Sequence, residues 1–276
     1  MLKLIKATIA ALAVLTVVVA PYAQALVQTP QHIQQSPRLQ AALRASAVPA
    51  VRPQILRVIP HDTTAFTQGL IIIDTLLYES TGIVGQSSLR RVSPTTGRVL
   101  HRIPVPDVFA EGITVLGSEL VQLTWKDEFA LRYEFPSLRP KSVMHTYQGQ
   151  GWGLTNDGTN FIMSNGSDTL YWRNADFQII RKLPVTYASE RLIYLNELQY
   201  VRGRVYANVW YENFIAEISI DDGRVIRTID CSELVAIERP SSANNVLNGI
   251  AYCERNNEWY LTGKNWRNMF IVRIPQ

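Results

Sequence analysis

The sequence has only two cysteines, Cys231 and Cys253, in 276 residues. That is too few for a disulfide scaffold. Its four histidines, His32, His61, His101 and His145, are scattered, and no HxxH or HxxxH pair occurs. The spacing that holds a zinc ion is therefore missing. There is no GxSxG elbow and no Walker loop, so the familiar serine-hydrolase and nucleotide-hydrolase signatures are absent. Charged residues make up 18% of the chain, and the excess of 27 basic over 23 acidic side chains forms no Lys/Arg cluster. A nucleic-acid footprint needs such a cluster. The long apolar run, from about Ala7 to Ala20, is short for a membrane span.

What is present begins with that run. Lys3 and Lys6 precede it, and "APYAQA" follows, with Ala23 and Ala25 in the small-residue pattern of a signal-peptidase site. Residues 1–25 are read as a secretory signal peptide cut after Ala25, so the protein is secreted, and periplasmic in a Gram-negative cell. The alternative is a membrane anchor, but the run is short and no Cys follows it for a lipid. The signal holds two of the basic residues and no acid, leaving a net charge of +2. Residues 26–53, rich in Gln, Pro, Ala and Ser, read as a tether with one short helical turn near Leu39–Arg44.

After Arg52 the texture changes. Short runs of β-branched, aromatic and aliphatic residues alternate with turn signals such as "TTGR" at 95–98, "NDGT" at 156–159 and "DDGR" at 221–224, which predicts all-β structure. The strands repeat. "TQGLIII", "AEGITVL", "GWGLTND", "LNELQYV" and "LNGIAYC" share a pattern whose aliphatic slots are Leu70, Ile113, Leu154, Leu198 and Ile250. Their separations are 43, 41, 44 and 52 residues. A period of that size with four strands per unit is a propeller blade. Five copies fill residues 67–276, and the fifth is one strand short. The orphan strand "QILRVIP" at 54–60 is expected to complete it and close the ring, which protects the sheet edges. The expected domain is a five-bladed β-propeller over residues 54–276.

The repeat register gathers a site. The second residue of each pattern, Gln68, Glu111, Trp152, Asn196 or Asn248, stands at the start of an innermost strand, at one mouth of the central channel. Fourteen residues on, the second strand returns to that face at Gly82, Trp125, Gly166 and Trp210; in the last blade the interval is sixteen and the residue is Lys264. Phe66 and Phe109 stand on the rim. Any one Trp could be packing between blades, and Glu111 with Lys264 could be a structural ion pair. As a set they form a non-metal site, with one carboxylate, one ammonium, several amides and an aromatic box. Such a set suits proton transfer and oxyanion stabilisation on a small amide-bearing group. Glu79 in "LYES" is the second candidate for the proton relay.

"PHDTTAFTQGL", "LYESTGIVGQSSLRRV", "FAEGITVLGSELVQLTWK", "GWGLTNDG", "LNELQYVRGRVYANVW" and "VLNGIAY…LTGKNW" resemble the motifs of plant-type glutaminyl-peptide cyclotransferases over about residues 54–274. The resemblance implies a five-bladed propeller that converts the N-terminal Gln of a peptide or protein to pyroglutamate and releases ammonia. It implies Glu111 as the proton-transfer residue. Lys264 and Asn196 join it in catalysis, and Phe66, Gln68, Phe109, Trp125, Trp152, Trp210 and Asn248 bind the substrate. It implies no cofactor. Some plant members carry calcium, but no ligand motif here identifies a site for it. Peptides with a free N-terminal Gln are the expected partners, with neither nucleic acid nor, after signal cleavage, membrane, and the chain is expected to be a monomer. The sequence departs from the family at Gln150, where an acid is usual, at Asn165 in place of Asp, and at Cys253 in place of Asp. The first two departures remove negative charge near the channel mouth.

Two other readings stay open. A non-catalytic periplasmic propeller would bind a peptide or protein partner. A lactonase-type hydrolase would need a channel metal, for which the slots hold too few carboxylates. The register also places Cys231 at the active-site face and Cys253 roughly 16 Å along an inner strand toward the other face, which predicts two separate thiols.

Overall fold

The computed structural model describes residues 35–275. Five antiparallel four-stranded units follow one another along the chain. Their innermost strands are Thr67–Ile73, Ala110–Leu116, Leu154–Asn156, Leu195–Val201 and Leu247–Cys253. Each inner strand packs against the next, and the fifth against the first, so the five form a ring. The expected five-bladed propeller is what the chain adopts. Gln54–Pro60 pairs antiparallel with Asn268–Arg273, from Gln54 opposite Arg273 to Pro60 opposite Asn268, and supplies the outermost strand of blade 5. Closure thus joins the two ends of the repeat by a full strand of hydrogen bonds. The interval of 52 residues before blade 5 is explained by a helix, Ser232–Glu238, inserted in the connection.

The segment expected as a tether carries the short helix expected near Leu39–Arg44, but from Gln35 onward it packs on the propeller. Residues 1–34, with the expected signal peptide and the first part of the tether, lie outside the described residues. Pro37–Arg44 is a helix, with Pro at its first position and Ser36 Oγ accepting from Leu39 N at 3.1 Å. Leu39 is fully buried against blades 3 and 4, worth about 2 kcal/mol of burial. Ala50–Val51 adds a parallel strand to the outer edge of blade 4, Ala50 opposite Thr228. The polar composition of the segment masks this docking, because one Leu and one Val make most of it.

The inner strands bulge where the site begins. Pairing skips Glu111 and Gly112 between Ala110 and Ile113, and it shifts likewise at Gln68, at Asn196–Glu197 and at Asn248–Gly249. A bulge re-aims the side chain it carries. The residue after each channel-slot residue is glycine in four blades. A Cβ at Gly153 would overlap the Asn196 carbonyl, and one at Gly112 would overlap the backbone of Trp152–Leu154, so these glycines let neighbouring inner strands touch. In blade 4 the slot holds Glu197, whose carboxylate accepts from Leu70 N (3.2 Å) in blade 1 and Ile250 N (2.8 Å) in blade 5. This buried side chain ties the inner strands of blades 1, 4 and 5 together.

Candidate active site

The floor is polar and buried. Glu111 is 4% exposed, and Gln68, Asn196, Asn248 and Lys264 are buried with it. Gln68 Nε2 donates to Glu111 Oε1 at 2.9 Å. Asn248 Nδ2 donates to Thr67 O (2.9 Å) and to Gln68 Oε1 (3.3 Å). The bulges in blades 1, 2 and 5 are thus cross-linked through their side chains. Eight buried polar side-chain atoms lack a partner among the described residues, and half are here: Glu111 Oε2, Asn196 Oδ1, Asn248 Oδ1 and Asn208 Nδ2. Unpaired buried polar atoms are costly, so their concentration at one place points to a ligand that supplies the missing partners.

Above the floor the aromatic side chains close a circuit. Phe66 meets Phe109 edge-on with centroids 6.1 Å apart, and Phe109 meets Trp125 at 5.5 Å. The indole N–H groups of Trp125 (2.8 Å) and Trp152 (2.9 Å) both donate to Gln150 Oε1. Trp152 meets Trp210 at 5.2 Å. Lys264 Nζ completes the circuit, 5.7 Å from the Trp210 ring centre and 4.8 Å from that of Phe66. Phe66, Trp125, Trp152 and Trp210 are half-buried, so they form a rim that a molecule can reach from solvent. Glycine at the strand-end positions Gly82 and Gly166 leaves room for the Phe109 and Trp152 rings.

Electrostatics set the floor apart. Burial pushes the Glu111 carboxyl well above its usual range, against the pull of the Lys264 charge and the Gln68 bond. Burial also brings the Lys264 ammonium down to about 8, with Glu111 holding it up. Each group has thus moved toward the range in which protons are exchanged at neutral pH. No N···O contact within 4.0 Å joins the two, so the pair is not a closed salt bridge.

All ten residues expected from the sequence converge on this mouth. Gln68, expected among the substrate-binding residues, donates one amide N–H to Glu111 and so orients the carboxylate. Glu79 is excluded as a relay, since it is bonded to His61 and Thr67, both at 2.8 Å, and lies 3.7 Å from Arg90.

Sequence reading missed three contributors, and for Gln150, named there only as a departure near the channel mouth, it missed the contact. Gln150 bridges the indoles, Asn208 receives Gly249 N at 2.9 Å, and Tyr194 and Tyr211 flank Trp210 with centroids at 6.3 and 4.8 Å. The signal for Gln150 was its place two residues before Trp152, on the same side of the chain. The departures from the family pattern are accommodated. Gln150 offers an amide oxygen where a carboxylate would accept the same two bonds. Asn165 Oδ1 accepts from Ser167 N (3.2 Å) and Oγ (2.6 Å), as an Asp would. Cys253 packs in an apolar cluster with Ile59 and Tyr260. Both cysteines are free and buried, as the register implied. Among the described residues no three His, Cys, Asp or Glu side chains come together to hold a metal ion.

Comparison with known proteins agrees with this geometry. Residues 23–274 match the family model described as Glutamine cyclotransferase. A glutaminyl-peptide cyclotransferase of Arabidopsis thaliana is 34% identical over 228 residues, 81% of this chain and 71% of that protein. The crystal structure of Myxococcus xanthus glutaminyl cyclase superposes with a TM-score of 0.78 at 30% identity, covering 82% of this chain and 98% of that one. The WD40 repeats of RRP9, at 10% identity and a TM-score of 0.50, share the propeller architecture alone.

Proposed function

The chain belongs to the glutamine cyclotransferase family, and from that premise we propose how its site works. It is a glutaminyl-peptide cyclotransferase, turning the N-terminal glutamine of peptides and proteins into pyroglutamate. The observation that carries the mechanistic reading is Glu111, a buried carboxylate with one oxygen oriented by Gln68 and the other unpartnered.

The substrate's glutamine side chain passes the aromatic rim and folds over the floor. The indole and phenyl walls hold it with its α-amine against its own γ-carbonyl, a near-attack arrangement, and they exclude the water that would instead deamidate it. Glu111 Oε2 takes a proton from the attacking amine. The amine nitrogen bonds the side-chain amide carbon, and its carbonyl oxygen becomes an oxyanion facing the Lys264 ammonium. Glu111 then returns the proton to the amide nitrogen, which leaves as ammonia while the carbonyl re-forms in the lactam. One carboxylate thus serves as base and then acid. Asn196 Oδ1 and Asn248 Oδ1 are acceptors for the substrate's N–H groups, and Asn208 Nδ2 is a donor. Glu197 spans from blade 4 to the inner strands of blades 1 and 5, which supports a site that takes a chain end rather than a threaded chain.

Residues 1–25 export the protein, which acts as a monomer outside the cytoplasm, in the periplasm if the cell is Gram-negative. The basic start, apolar run and Ala-Gln-Ala site support this. Among the described residues no helix is long and apolar enough to cross a membrane. The test is incubation of the protein from Leu26 onward with a Gln-initiated peptide, followed by mass spectrometry for loss of one ammonia. Peptide binding without turnover would overturn the mechanism in favour of a non-catalytic binding propeller.

A further inference from the structure

Beside the floor lies a second charged group that the reaction does not use. His61, in the loop between the closing strand and blade 1, is buried, as are Glu79 and Arg90. His61 Nδ1 lies 2.8 Å from the Trp266 carbonyl oxygen and Nε2 lies 2.8 Å from Glu79 Oε1. A carbonyl can only accept, so Nδ1 carries a hydrogen. Glu79 Oε1 also receives the Thr67 hydroxyl at 2.8 Å, and Oε2 is 3.7 Å from Arg90 Nη1. Both contacts favour the ionised carboxylate, which also only accepts, so Nε2 carries a hydrogen too. A neutral imidazole has one N–H, and two are needed here.

The ring is placed where it can matter. Trp266 is two residues beyond Lys264. The same two segments are joined by His61 N to Arg267 O (2.7 Å), Asn265 N to Ala65 O (2.7 Å) and Asn265 Nδ2 to Thr63 O (2.9 Å). On the other side Glu79 holds Thr67, the neighbour of Gln68, and the Thr67 carbonyl holds Asn248. We propose that His61 is a positioning residue. As an imidazolium paired with Glu79, it clamps the segment carrying Phe66 and Gln68 to the one carrying Lys264, and so fixes Glu111 between its orienting amide and the ammonium.

The charges around the ring agree. Burial by itself would pull the imidazole's proton affinity down, but the Glu79 carboxylate outweighs it, with help from the Trp266 carbonyl and Asp62, and the net shift is upward. Glu79 is held low, since His61, Arg90 and Thr67 together overcome its burial. Arg90 in turn binds Asp62 at 3.0 Å. The sign follows from these directions. The clamp is whole between the two shifted titrations. It fails as pH rises through the raised imidazole value, when Nε2 becomes an acceptor facing an acceptor, and again as pH falls through the lowered carboxyl value.

The first test needs no turnover. In protein labelled with ¹⁵N-histidine, both His61 ring nitrogens should show the imidazolium signature and lose it only above the ordinary imidazole value of about 6.5. A midpoint at or below that value overturns the proposal. The second test rests on the cyclotransferase reading. Glu79→Gln keeps an acceptor for Nε2 but removes the charge. It should lower kcat about tenfold, leave KM within about twofold, and move the alkaline limb of the kcat profile to lower pH. An unchanged profile in a folded variant overturns the positioning role. Wild-type protein without cyclase activity refutes the functional reading instead, and the NMR titration then decides the clamp.

Discussion

Gln68 and Glu111 occupy equivalent slots of adjacent blades, and the amide of one donates to the carboxylate of the other at 2.9 Å. The bond fixes one carboxylate oxygen and leaves the second, buried and without a partner, as the group to which a substrate proton can move.

Glu111→Gln should retain the fold and lose at least nine-tenths of the cyclisation rate, because an amide cannot relay a proton. Since burial disfavours the charged form of Glu111, the neutral variant should also melt at the same temperature or a few degrees higher. Activity above about a tenth of wild type would reassign the relay, and a clear loss of stability would mean that the charge is structural.

Lys264→Met should lower kcat by about a hundredfold or more, the usual effect of losing one oxyanion partner. The pH dependence has a definite sign. Burial brings Lys264 down to about 8 in the folded protein, below its ordinary 10.5, so wild type loses stability as pH falls from 10.5 toward 8, where only the unfolded chain binds the proton, and the loss is complete below about 8. That cost approaches roughly 3 kcal/mol. Chemical denaturation of both proteins should therefore show Lys264→Met gaining more over wild type at pH 6 than at pH 10. An equal difference at both values would place the ammonium in solvent.

Gln150→Leu removes the acceptor shared by Trp125 and Trp152, freeing two walls of the rim. KM for a Gln-initiated peptide should rise about tenfold with a smaller change in kcat. Gln150→Glu preserves both bonds and should keep KM at or below the wild-type value. Equal kinetics in all three proteins would show that the bridge does not shape the pocket.

Prolonged EDTA treatment should leave turnover intact. Among the described residues no three His, Cys, Asp or Glu side chains come together, whereas catalytic zinc needs three such ligands. Loss of activity restored by added zinc would contradict this.

Thiol titration under denaturing, non-reducing conditions should find two free thiols per chain. Cys231 stands fully buried at the start of the helix Ser232–Glu238, and Cys253 packs in a different apolar cluster. Burial raises the Cys231 thiol far above its ordinary value, so in the folded protein it should react slowly, if at all. Finding no free thiols after denaturation would mean that the two are bridged and that blade 5 is misplaced.

Much was legible because a propeller writes its period into the chain. Each blade repeats the same four strands, so equivalent positions fall at near-constant separations, and positions at the mouth of one channel can be collected without knowing any distance. That is how Gln68, Glu111, Trp152, Asn196, Asn248, Trp125, Trp210 and Lys264 came together. What broke the repeat stayed hidden. Glu197 replaces a glycine and reaches two other blades. Gln150 lies between repeats yet bridges two of their indoles. His61 precedes the first repeat and bonds to a carbonyl 205 residues away. Leu39 docks a segment whose composition reads as linker. Each of these depends on which side chains meet across the closed ring, and local pattern carries no information about that. The sequence by itself determined the period, the blade count and the residue types at the channel mouth. Only the tertiary structure decided which of those groups have partners and which do not. Protonation and reactivity follow from that pairing, since burial without a partner is what shifts a proton's affinity.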